Sequence, residues 1–478
     1  MLLLLNKFTY KELLEFEKFI KSPFFNTSER VTKLFFYLKS LYPGITEEKI
    51  SRENIFKAIN SGKKYDDQNA RKLISDFNRI FEKYLAYKSF EKYKSAYNSY
   101  LSTSLKEAGD QKLFNFTAKK ILTDFDNNFN RDNDYYYYKY KIENDVYYAN
   151  FDSYKPGIPK IIKDKSKDVD FLFAFMKLHI YNEVLNIETA MKKKLDFDYS
   201  YYDSIMGFVK QNETEIKRKH PDLYVIYLRT LMYKHSDEFA YVKELINYIR
   251  KNARKFNKEK LNFYYTFAAA FYWEFYNKGD LSVIAPLFSI YNSMMKAESL
   301  IMYNKIFAAD FNCIVLVGLH LEKYDWLENF IYKYGSYLDK EIRKDLVNLA
   351  LARLHFRKND FEKAISFASK VKSSSPIYYV NINFIFGKSF FEQNDIKSLE
   401  YILDNLKHYK SRNKQINKDL IDNINIFNFY MTRLIKIYDS NDEDSYIELK
   451  NFLKKEKRFV PDKRWLIEKI KEKEKSFK

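Results

Sequence analysis

Six histidines and a single cysteine are the side chains of this 478-residue chain best suited to metal binding or nucleophilic catalysis. The histidines stand at positions 179, 220, 235, 320, 355 and 408, and none has an HExxH or another metal-ligand spacing. His179, His320 and His355 lie within helical patterns, which predicts packing or surface roles. Cys313 lies in the apolar run FNCIVLVGL, which predicts a buried side chain that behaves as a small hydrophobic residue. The sequence therefore predicts no metal site.

Motifs that hold phosphate or activate a serine are absent from the sequence, which contains no GxxxxGKS/T, GxGxxG or GxSxG. The stretch FGKS, Phe386 to Ser389, matches the end of a phosphate-binding loop, but it lacks the upstream glycine and lies in a helical pattern. We therefore expect neither enzymatic activity nor a cofactor. An enzyme is a third interpretation of the chain, and it would require a cleft of carboxylates or histidines that converge from distant helices.

Three basic segments could contact an anionic partner: 250–260, 407–418 and 450–478. The chain has 83 Lys and Arg against 64 Asp and Glu, and the resulting net charge of +19 favours acidic partners. The candidate contact residues are Arg250, Lys251, Arg254, Lys255, Lys410, Arg412 and Lys414. Solvated helix ends, or lysine enrichment through AT-rich codons, would explain the same charge without a function. Trp465, Leu466 and Ile470 give the last segment an apolar edge, which predicts a packed final helix.

The elements that must position these side chains are predicted to be helices, because the chain has only nine glycines and eight prolines. Average usage would give roughly 30 and 25 in a chain of this length. Glycine supplies the positive φ of tight turns, so a chain this poor in it has little capacity for hairpins. The composition predicts an all-α fold.

The first hundred residues predict a compact group of helices. Thr9 and Glu12 have the spacing of a capping box at the start of one helix. Asn26 is the predicted N-cap of the next helix, and one long helix is predicted over residues 68–101. The polar segments between them predict loops.

The tyrosine-rich stretch DNDYYYYKYKIENDVYYANF, residues 132–151, predicts an amphipathic helix. At the 3.6-residue period its apolar stripe consists of Tyr135, Tyr138, Ile142, Val146 and Ala149. Lys139 and Glu143 lie off this stripe four residues apart, so they are predicted to pair on the helix surface. The flanking tyrosines are Tyr137, Tyr140, Tyr147 and Tyr148. They pack against a neighbouring helix or, if they are exposed together, form a stacking surface for nucleic acid.

A helix-turn-helix pattern runs from Asn348 to Pro376 in the sequence NLALARLHFRKNDFEKAISFASKVKSSSP. It has one apolar stripe, the polar turn RKND, a second apolar stripe and a final proline. This pattern resembles a tetratricopeptide repeat, a helix hairpin of about 34 residues. The matching positions are Leu351, Ala352, Phe361, Ala364, Ala368, Val371 and Pro376. Asn348 and His355 depart from the family, which has a tryptophan and an aromatic residue at these two positions.

The stretch NINFIFGKSFFEQNDIKSLEYILDNL repeats the pattern with a spacing of 35 residues. Gly387 follows Ala352 at this spacing, as Asp395 follows Asp360. Similar polar turns end upstream at Asp237, Asp280 and Asp325. The resemblance extends over about residues 198–438.

The resemblance implies an all-α, tetratricopeptide-like solenoid of helix hairpins with an N-terminal helical domain. We expect that domain over 1–105, linking helices over 106–197, repeats over 198–440 and a basic C-terminal helix or tail over 441–478. Such arrays bind an extended peptide or another protein on a concave face, which the first helix of each hairpin lines. The residues expected to contact the partner are Asn348, Arg353, Asn383 and Lys388.

The leading interpretation is a non-catalytic scaffold for protein–protein interaction. The alternative is a nucleic-acid-binding helical repeat, and the two differ in whether the three basic segments converge on one face. The leucine run MLLLLNKF lacks the basic start and the cleavage site of a signal peptide, and other apolar runs are interrupted well before eighteen residues. A single cysteine permits no intramolecular disulfide. We therefore expect a cytoplasmic protein without a membrane span.

Overall fold

The computed structural model describes residues 1–60, 62–151, 157–191, 193–373, 375–413, 416–440, 443–456 and 460–475. In these ranges the chain forms 23 α-helices and no β-strand, which confirms the predicted all-α fold. None of the helices described is both long enough and apolar enough to cross a membrane. By their internal contacts the helices form two compact units, Met1–Met176 and Lys177–Lys478. The finer four-part division stays a prediction.

The first unit begins with a 3-10 helix, Leu2–Lys7. Its α-helices are α1 (Tyr10–Lys21), α2 (Glu29–Leu41), α3 (Arg52–Ile59), α4 (Asp67–Lys92), α5 (Lys94–Glu107), α6 (Gln111–Asp126) and α7 (Asn133–Ala149). The next helix, α8 (Ile158–Met191), contains the division between the two units. An aromatic core joins α1, α2 and α4, because the Phe16 ring lies 4.8 to 5.9 Å from four others. These rings belong to Phe35, Phe77, Phe81 and Tyr84.

The capping box at the start of α1 is confirmed. The Glu12 carboxylate accepts a hydrogen bond from the Thr9 backbone N–H at 2.8 Å, and the Thr9 hydroxyl accepts one from the Glu12 backbone N–H. The predicted cap of α2 is wrong, because Ser28 and not Asn26 caps that helix. The Asn26 amide donates instead to the Ile20 carbonyl at 2.9 Å. Asn26 therefore joins α1 to the connector that follows it.

The single long helix predicted over residues 68–101 is wrong, because the chain breaks at Tyr93 between α4 and α5. Tyr93 has φ −94° and ψ 81°, outside the helical region, although neither proline nor glycine marks the position. The break gives α5 a buried face of its own, made of the small or polar residues Ala96, Asn98, Ser99 and Ser102. Because small side chains let helices approach closely, α5 packs against both α6 and α7.

The second unit continues with α9 (Tyr202–Gln211), α10 (Glu213–Lys219), α11 (Pro221–Lys234), α12 (Ala240–Asn252), α13 (Lys258–Asn277), α14 (Ile284–Lys296), α15 (Ala308–His320), α16 (Tyr324–Gly335), α17 (Lys340–Arg357), α18 (Phe361–Ala368), α19 (Pro376–Glu392), α20 (Ile396–Arg412), α21 (Lys418–Ser440), α22 (Glu443–Lys455) and α23 (Lys463–Glu474). From α11 onward each helix packs against the next one in the chain. Alternate helices also touch, since α17 contacts both α15 and α19. The unit is therefore a stack of neighbouring helices.

Five turns of this stack end a helix in the same way. Each has one residue in the left-handed region: Gly279 (φ 94°), Glu298 (φ 52°), Glu322 (φ 55°), Asn359 (φ 59°) and Asn394 (φ 56°). The backbone N–H of the next residue then donates to the carbonyl five residues before it, at 2.9 to 3.1 Å, which closes the helix end. Three of the turns provide an aspartate that caps the following helix: Asp280, Asp360 and Asp395. The polar turns recognised in the sequence are thus helix boundaries.

The C-terminal helix α23 belongs to the hydrophobic core of the second unit. Its Trp465, Leu466 and Ile470 side chains are buried and join the core residues of α17 to α22. The prediction that the apolar edge of the basic tail packs as a final helix is confirmed for these residues.

Candidate partner-binding site

In the second unit one lysine pairs directly with a carboxylate on which two arginines also act electrostatically. Lys388 of α19 forms an ion pair with Asp462, the residue immediately before α23. Arg353 and Arg357 of α17 also act electrostatically on the Asp462 carboxylate and favour its charged form. We call these four residues the carboxylate site. Its anion comes from a segment 74 residues after Lys388, not from the helices that carry the cations.

Helix periodicity and helix contacts position the cations. Arg353 and Arg357 are four residues apart, so they share one face of α17, and α17 contacts α19. The Lys388 side chain is only 4% exposed, and its ammonium group lies 4.3 Å from the centre of the Phe356 ring. The Arg353 guanidinium donates to the Asn381 side-chain oxygen on α19 at 2.8 Å. The site is therefore built across two adjacent helices.

Burial and charge act in opposite directions at this site. Burial lowers the pKa of Lys388, while the Asp462 carboxylate opposes that shift. Burial also lowers the pKa of Arg353. At Asp462 burial favours the neutral acid, but the attraction of Lys388 and the two arginines outweighs it and holds the pKa below the usual value. Asp462 is thus held as a carboxylate, although its side chain stays 44% exposed.

Asp462 occupies a position where an aspartate ordinarily caps its own helix. It is the N-cap residue of α23, yet its side chain makes no capping hydrogen bond. Its backbone lies in the left-handed region at φ 51°, which aspartate tolerates better than most residues. The carboxylate is therefore used for the contact with Lys388 instead of for the start of α23.

Trp465, three residues after Asp462, fills an aromatic pocket next to the carboxylate site. Its ring lies 5.6 Å from Phe391 and 6.3 Å from Phe356, both edge-on. Its indole N–H donates to the Glu392 carboxylate at 2.6 Å, and Lys469 binds the other oxygen of that carboxylate at 2.8 Å. A buried indole needs an acceptor for its N–H, so this pocket is matched to tryptophan and not to phenylalanine.

Two cations of α23, Arg464 and Lys469, pair with carboxylates of the same chain. Arg464 pairs with Glu322, in the turn after α15, and with Glu468 one turn later on α23. Its guanidinium also donates to the His320 carbonyl at 3.1 Å. Glu468 in turn lies 3.5 Å from Arg357. The helix is therefore attached to α15, α17 and α19 by side chains.

The four residues predicted to contact a partner fall in different places. Arg353 and Lys388 both lie at the carboxylate site. Asn383 is buried, and its amide donates to the Tyr379 carbonyl of its own helix at 2.8 Å. Asn348 is half-buried on α17. The sequence did not indicate Arg357, Glu392 or Asp462, although the spacing of Arg353 and Arg357 was a usable signal.

The basic residues that are predicted to contact nucleic acid differ in how they are used. Some are hydrogen-bonded within the chain, and others are exposed. Arg250 donates to Ser289 and Ser293 of α14, so it is used within the stack. Three residues near it are exposed: Lys251, Arg254 and Lys255. Lys410 donates to Asn425, and Arg412 is exposed. Lys414 lies outside the described residues.

The first unit contains a buried ion network on the tyrosine-rich helix α7. The Lys139 ammonium lies 2.6 Å from Asp168 of α8 and 3.3 Å from Glu143, and none of the three side chains is more than 10% exposed. The predicted pairing of Lys139 with Glu143 is confirmed, but its predicted place on the helix surface is wrong. Burial raises the pKa of Glu143 to about 7, although Lys139 opposes the shift. The buried face of α7 therefore includes charged residues, Lys139, Glu143 and Asp145, whereas Tyr138, Val146 and Ala149 of the predicted stripe are only half-buried.

Part of the tyrosine run is exposed. Tyr137 is 48% exposed and Tyr100 of α5 is 54% exposed. The Lys141 ammonium lies 5.8 Å from the centre of the Tyr137 ring and 5.1 Å from that of Tyr100. Tyr97, one turn before Tyr100, is also about half exposed. We call Tyr97, Tyr100, Tyr137 and Lys141 the aromatic surface.

His320, His355 and Cys313 contact residues of the helix stack and are not grouped with one another. The His320 ring is hydrogen-bonded to the Tyr276 hydroxyl at 2.8 Å, and His355 stacks on Phe367. Burial lowers the pKa of His320, with Arg464 and Arg357 acting in the same direction. Burial raises the pKa of Cys313 to about 11, so its thiol stays protonated at neutral pH. Within the described ranges, no three metal-binding side chains are grouped as a metal site would require.

Comparisons with models of protein families, with curated proteins and with solved structures found no match for this chain.

Proposed function

We propose that the second unit is a non-catalytic scaffold for protein–protein interaction, with a tetratricopeptide-like architecture over its helix hairpins. The repeated turns at Asn359–Asp360 and Asn394–Asp395 support this architecture, since both close a helix and cap the next in the same way. The contacts of α17 with α15 and α19 agree with it, because the first helices of successive hairpins lie side by side in such arrays.

The observation that carries the proposal is the carboxylate site on these first helices. Arg353, Arg357 and Lys388 gather around an anion that arrives from a distant part of the chain. Arginine and lysine held in this way on a helix stack suit the recognition of a carboxylate on a protein segment. The neighbouring Phe356 and Phe391 supply apolar contact beside the charge. The face lined by α15, α17 and α19 is therefore suited to a segment that carries an acid next to an aromatic residue.

The experiment is a peptide array probed with the full chain carrying Trp465→Ala, which weakens the hold of α23 on this face. We expect retention of 15-residue peptides that contain an aspartate or glutamate close to an aromatic residue. The same peptides with asparagine or glutamine at the acid should be lost. Adding Lys388→Met should abolish retention, whereas Lys251→Met, at an exposed lysine remote in sequence from α17 and α19, should not. Equal retention of acidic and amide peptides would contradict the proposal.

A second candidate function, binding of single-stranded nucleic acid, is favoured by the aromatic surface of the first unit. α5 buries small or polar residues and leaves Tyr97 and Tyr100 exposed, which is the reverse of the usual burial preference. Exposed aromatic rings beside a lysine suit base stacking and phosphate contact. Labelled single-stranded RNA and DNA should then bind more weakly as salt rises, and Tyr100→Ala with Tyr137→Ala should weaken binding about tenfold or more. Absent or salt-independent binding would remove this candidate.

A further inference from the structure

We propose that the segment Val460–Glu474 is a displaceable occupant of the partner-binding face, and that the partner displacing it presents an aspartate followed three residues later by a tryptophan. This inference rests on the proposed function, because it assigns the partner's chemistry and the regulation of the same site. It begins from Asp462 and Trp465, which the chain itself places against α17 and α19.

The chemistry of the face selects both residues of such a segment. Around Asp462 the cations Arg353, Arg357 and Lys388 require a carboxylate, because a neutral side chain would leave buried Lys388 without its counter-charge. The indole of Trp465 donates to Glu392 between the rings of Phe356 and Phe391. Phenylalanine would fill this pocket without satisfying that acceptor. The face therefore recognises an aspartate and a tryptophan that are three residues apart in one segment.

The attachment of the segment suits exchange. Among the residues described, its buried apolar side chains are Val460, Pro461, Trp465, Leu466 and Ile470, and twelve helical residues must be ordered to place the last three. The closest backbone neighbour of α23 is α22, and its contacts with α15, α17 and α19 are made by side chains. Asp462 remains 44% exposed, so solvent reaches this carboxylate while the site is occupied. A partner segment can thus compete without disturbing the helix stack beneath.

The regulatory consequence is that the scaffold is closed by its own C-terminal segment. A partner with the same acid and tryptophan must compete with an intramolecular segment at high effective concentration. Weak or isolated acidic peptides are then excluded, and release of α23 opens the face. Exchange between the two segments changes the partner's affinity without any change in the site itself.

The test uses the full chain and a fluorescein-labelled peptide with the sequence of residues 460–475, measured by fluorescence anisotropy. We expect the chain carrying Asp462→Asn and Trp465→Ala to bind the probe at least tenfold more tightly than the wild-type chain. Lys388→Met added to that variant should abolish binding. The matched control is Lys471→Ala on an exposed position of α23, which should bind as the wild type does.

Probe variants test the partner's chemistry. Replacing the aspartate of the probe by asparagine, or its tryptophan by phenylalanine, should each weaken binding at least fivefold. Asp462→Asn alone should strengthen binding of the original probe by a smaller factor, which guards against misfolding of the double variant. Circular dichroism and gel filtration should show each variant folded.

The outcomes separate this inference from the proposed function. Equal probe affinity for the wild-type and loosened chains, still abolished by Lys388→Met, would overturn displacement and leave the binding face intact. Probe binding that ignores its aspartate and tryptophan would overturn the assigned partner chemistry. No Lys388-dependent binding to any folded variant would overturn the inference and the proposed function together.

Discussion

Lys139, Glu143 and Asp168 show how single buried charges set the properties of the first unit. One ammonium group lies between two buried carboxylates, so the network carries more negative than positive charge if all three groups are ionised. Burial and the second carboxylate raise the pKa of Glu143 to about 7, the point at which this excess is removed by a proton. The network therefore titrates near neutral pH.

The pH dependence of stability should follow from Glu143. Its pKa in the folded chain is about 7, above its ordinary value of 4.5, so between these two pH values the folded state holds a proton that the unfolded state has lost. The free energy of unfolding of the wild-type chain therefore falls as pH rises from 4.5 towards 7. Glutamine does not titrate, so Glu143→Gln lacks this loss. The free energy of unfolding of the variant should gain about 1–3 kcal/mol relative to wild type between pH 5 and pH 8. Urea unfolding followed by circular dichroism measures the difference.

A matched control for this titration is Glu29→Gln, since Glu29 is 84% exposed. Its effect on the free energy of unfolding should be small and the same at both pH values. If Glu143→Gln also changed stability equally at pH 5 and pH 8, the raised pKa of Glu143 would be wrong.

Among the helices, α5 shows most clearly how packing departs from simple amphipathic patterning. Ser99 and Ser102 are fully buried against the neighbouring helices, and neither hydroxyl has a hydrogen-bond partner. A buried hydroxyl without a partner costs free energy, but the small side chain permits close approach of α5 to α7. The small size of Ser99 and Ser102 therefore matters more for the packing of α5 than their hydroxyl groups do.

Alanine and leucine at Ser99 should separate these two effects. Ser99→Ala keeps the space and removes the unpaired hydroxyl, so it should stabilise the chain by about 1 kcal/mol. Ser99→Leu overfills the helix contact and should destabilise it by about 1–3 kcal/mol. Thermal unfolding measures both, with Ser104→Ala at an exposed position of the same helix as the control. Stabilisation by leucine would contradict close packing at this position.

Sequence patterns predicted the elements whose determinants are local. The capping box of Thr9 and the aspartate turns at Asp360 and Asp395 involve residues within a few positions of one another, so their spacing was sufficient. The break at Tyr93 was missed because no proline or glycine causes it, and the packing of α5 on other helices is not visible locally. The repeat pattern predicts Arg353 and Lys388 as contact residues of the carboxylate site. It does not predict Asp462, because this residue lies 74 positions after Lys388 and outside the repeat.

The helix α23 is intermediate between a core element and a bound segment. Its Trp465, Leu466 and Ile470 side chains are buried in the core of the second unit, but its links to α15, α17 and α19 are made by side chains. The polar contacts of Asp462 and Trp465 therefore contribute to keeping the segment in place.

At the scale of the whole molecule, the two compact units are reported by different spectroscopic probes. The three tryptophans, Trp273, Trp326 and Trp465, all lie in the second unit, whereas far-ultraviolet circular dichroism records helices of both. Ser99→Leu should therefore lower the urea midpoint measured by circular dichroism and leave the tryptophan-fluorescence midpoint unchanged. An equal shift of both midpoints would show that the two units unfold as one.

Hydrogen–deuterium exchange of the wild-type chain measures whether α23 leaves the helix stack while the stack stays folded. We predict that the backbone amides of α23 exchange together and at least tenfold faster than those of α17 and α20, because the segment opens while the helix stack stays folded. Exchange of α23 at the same rate as α17 and α20 would contradict the displacement of α23, because the segment would then open only when the unit unfolds.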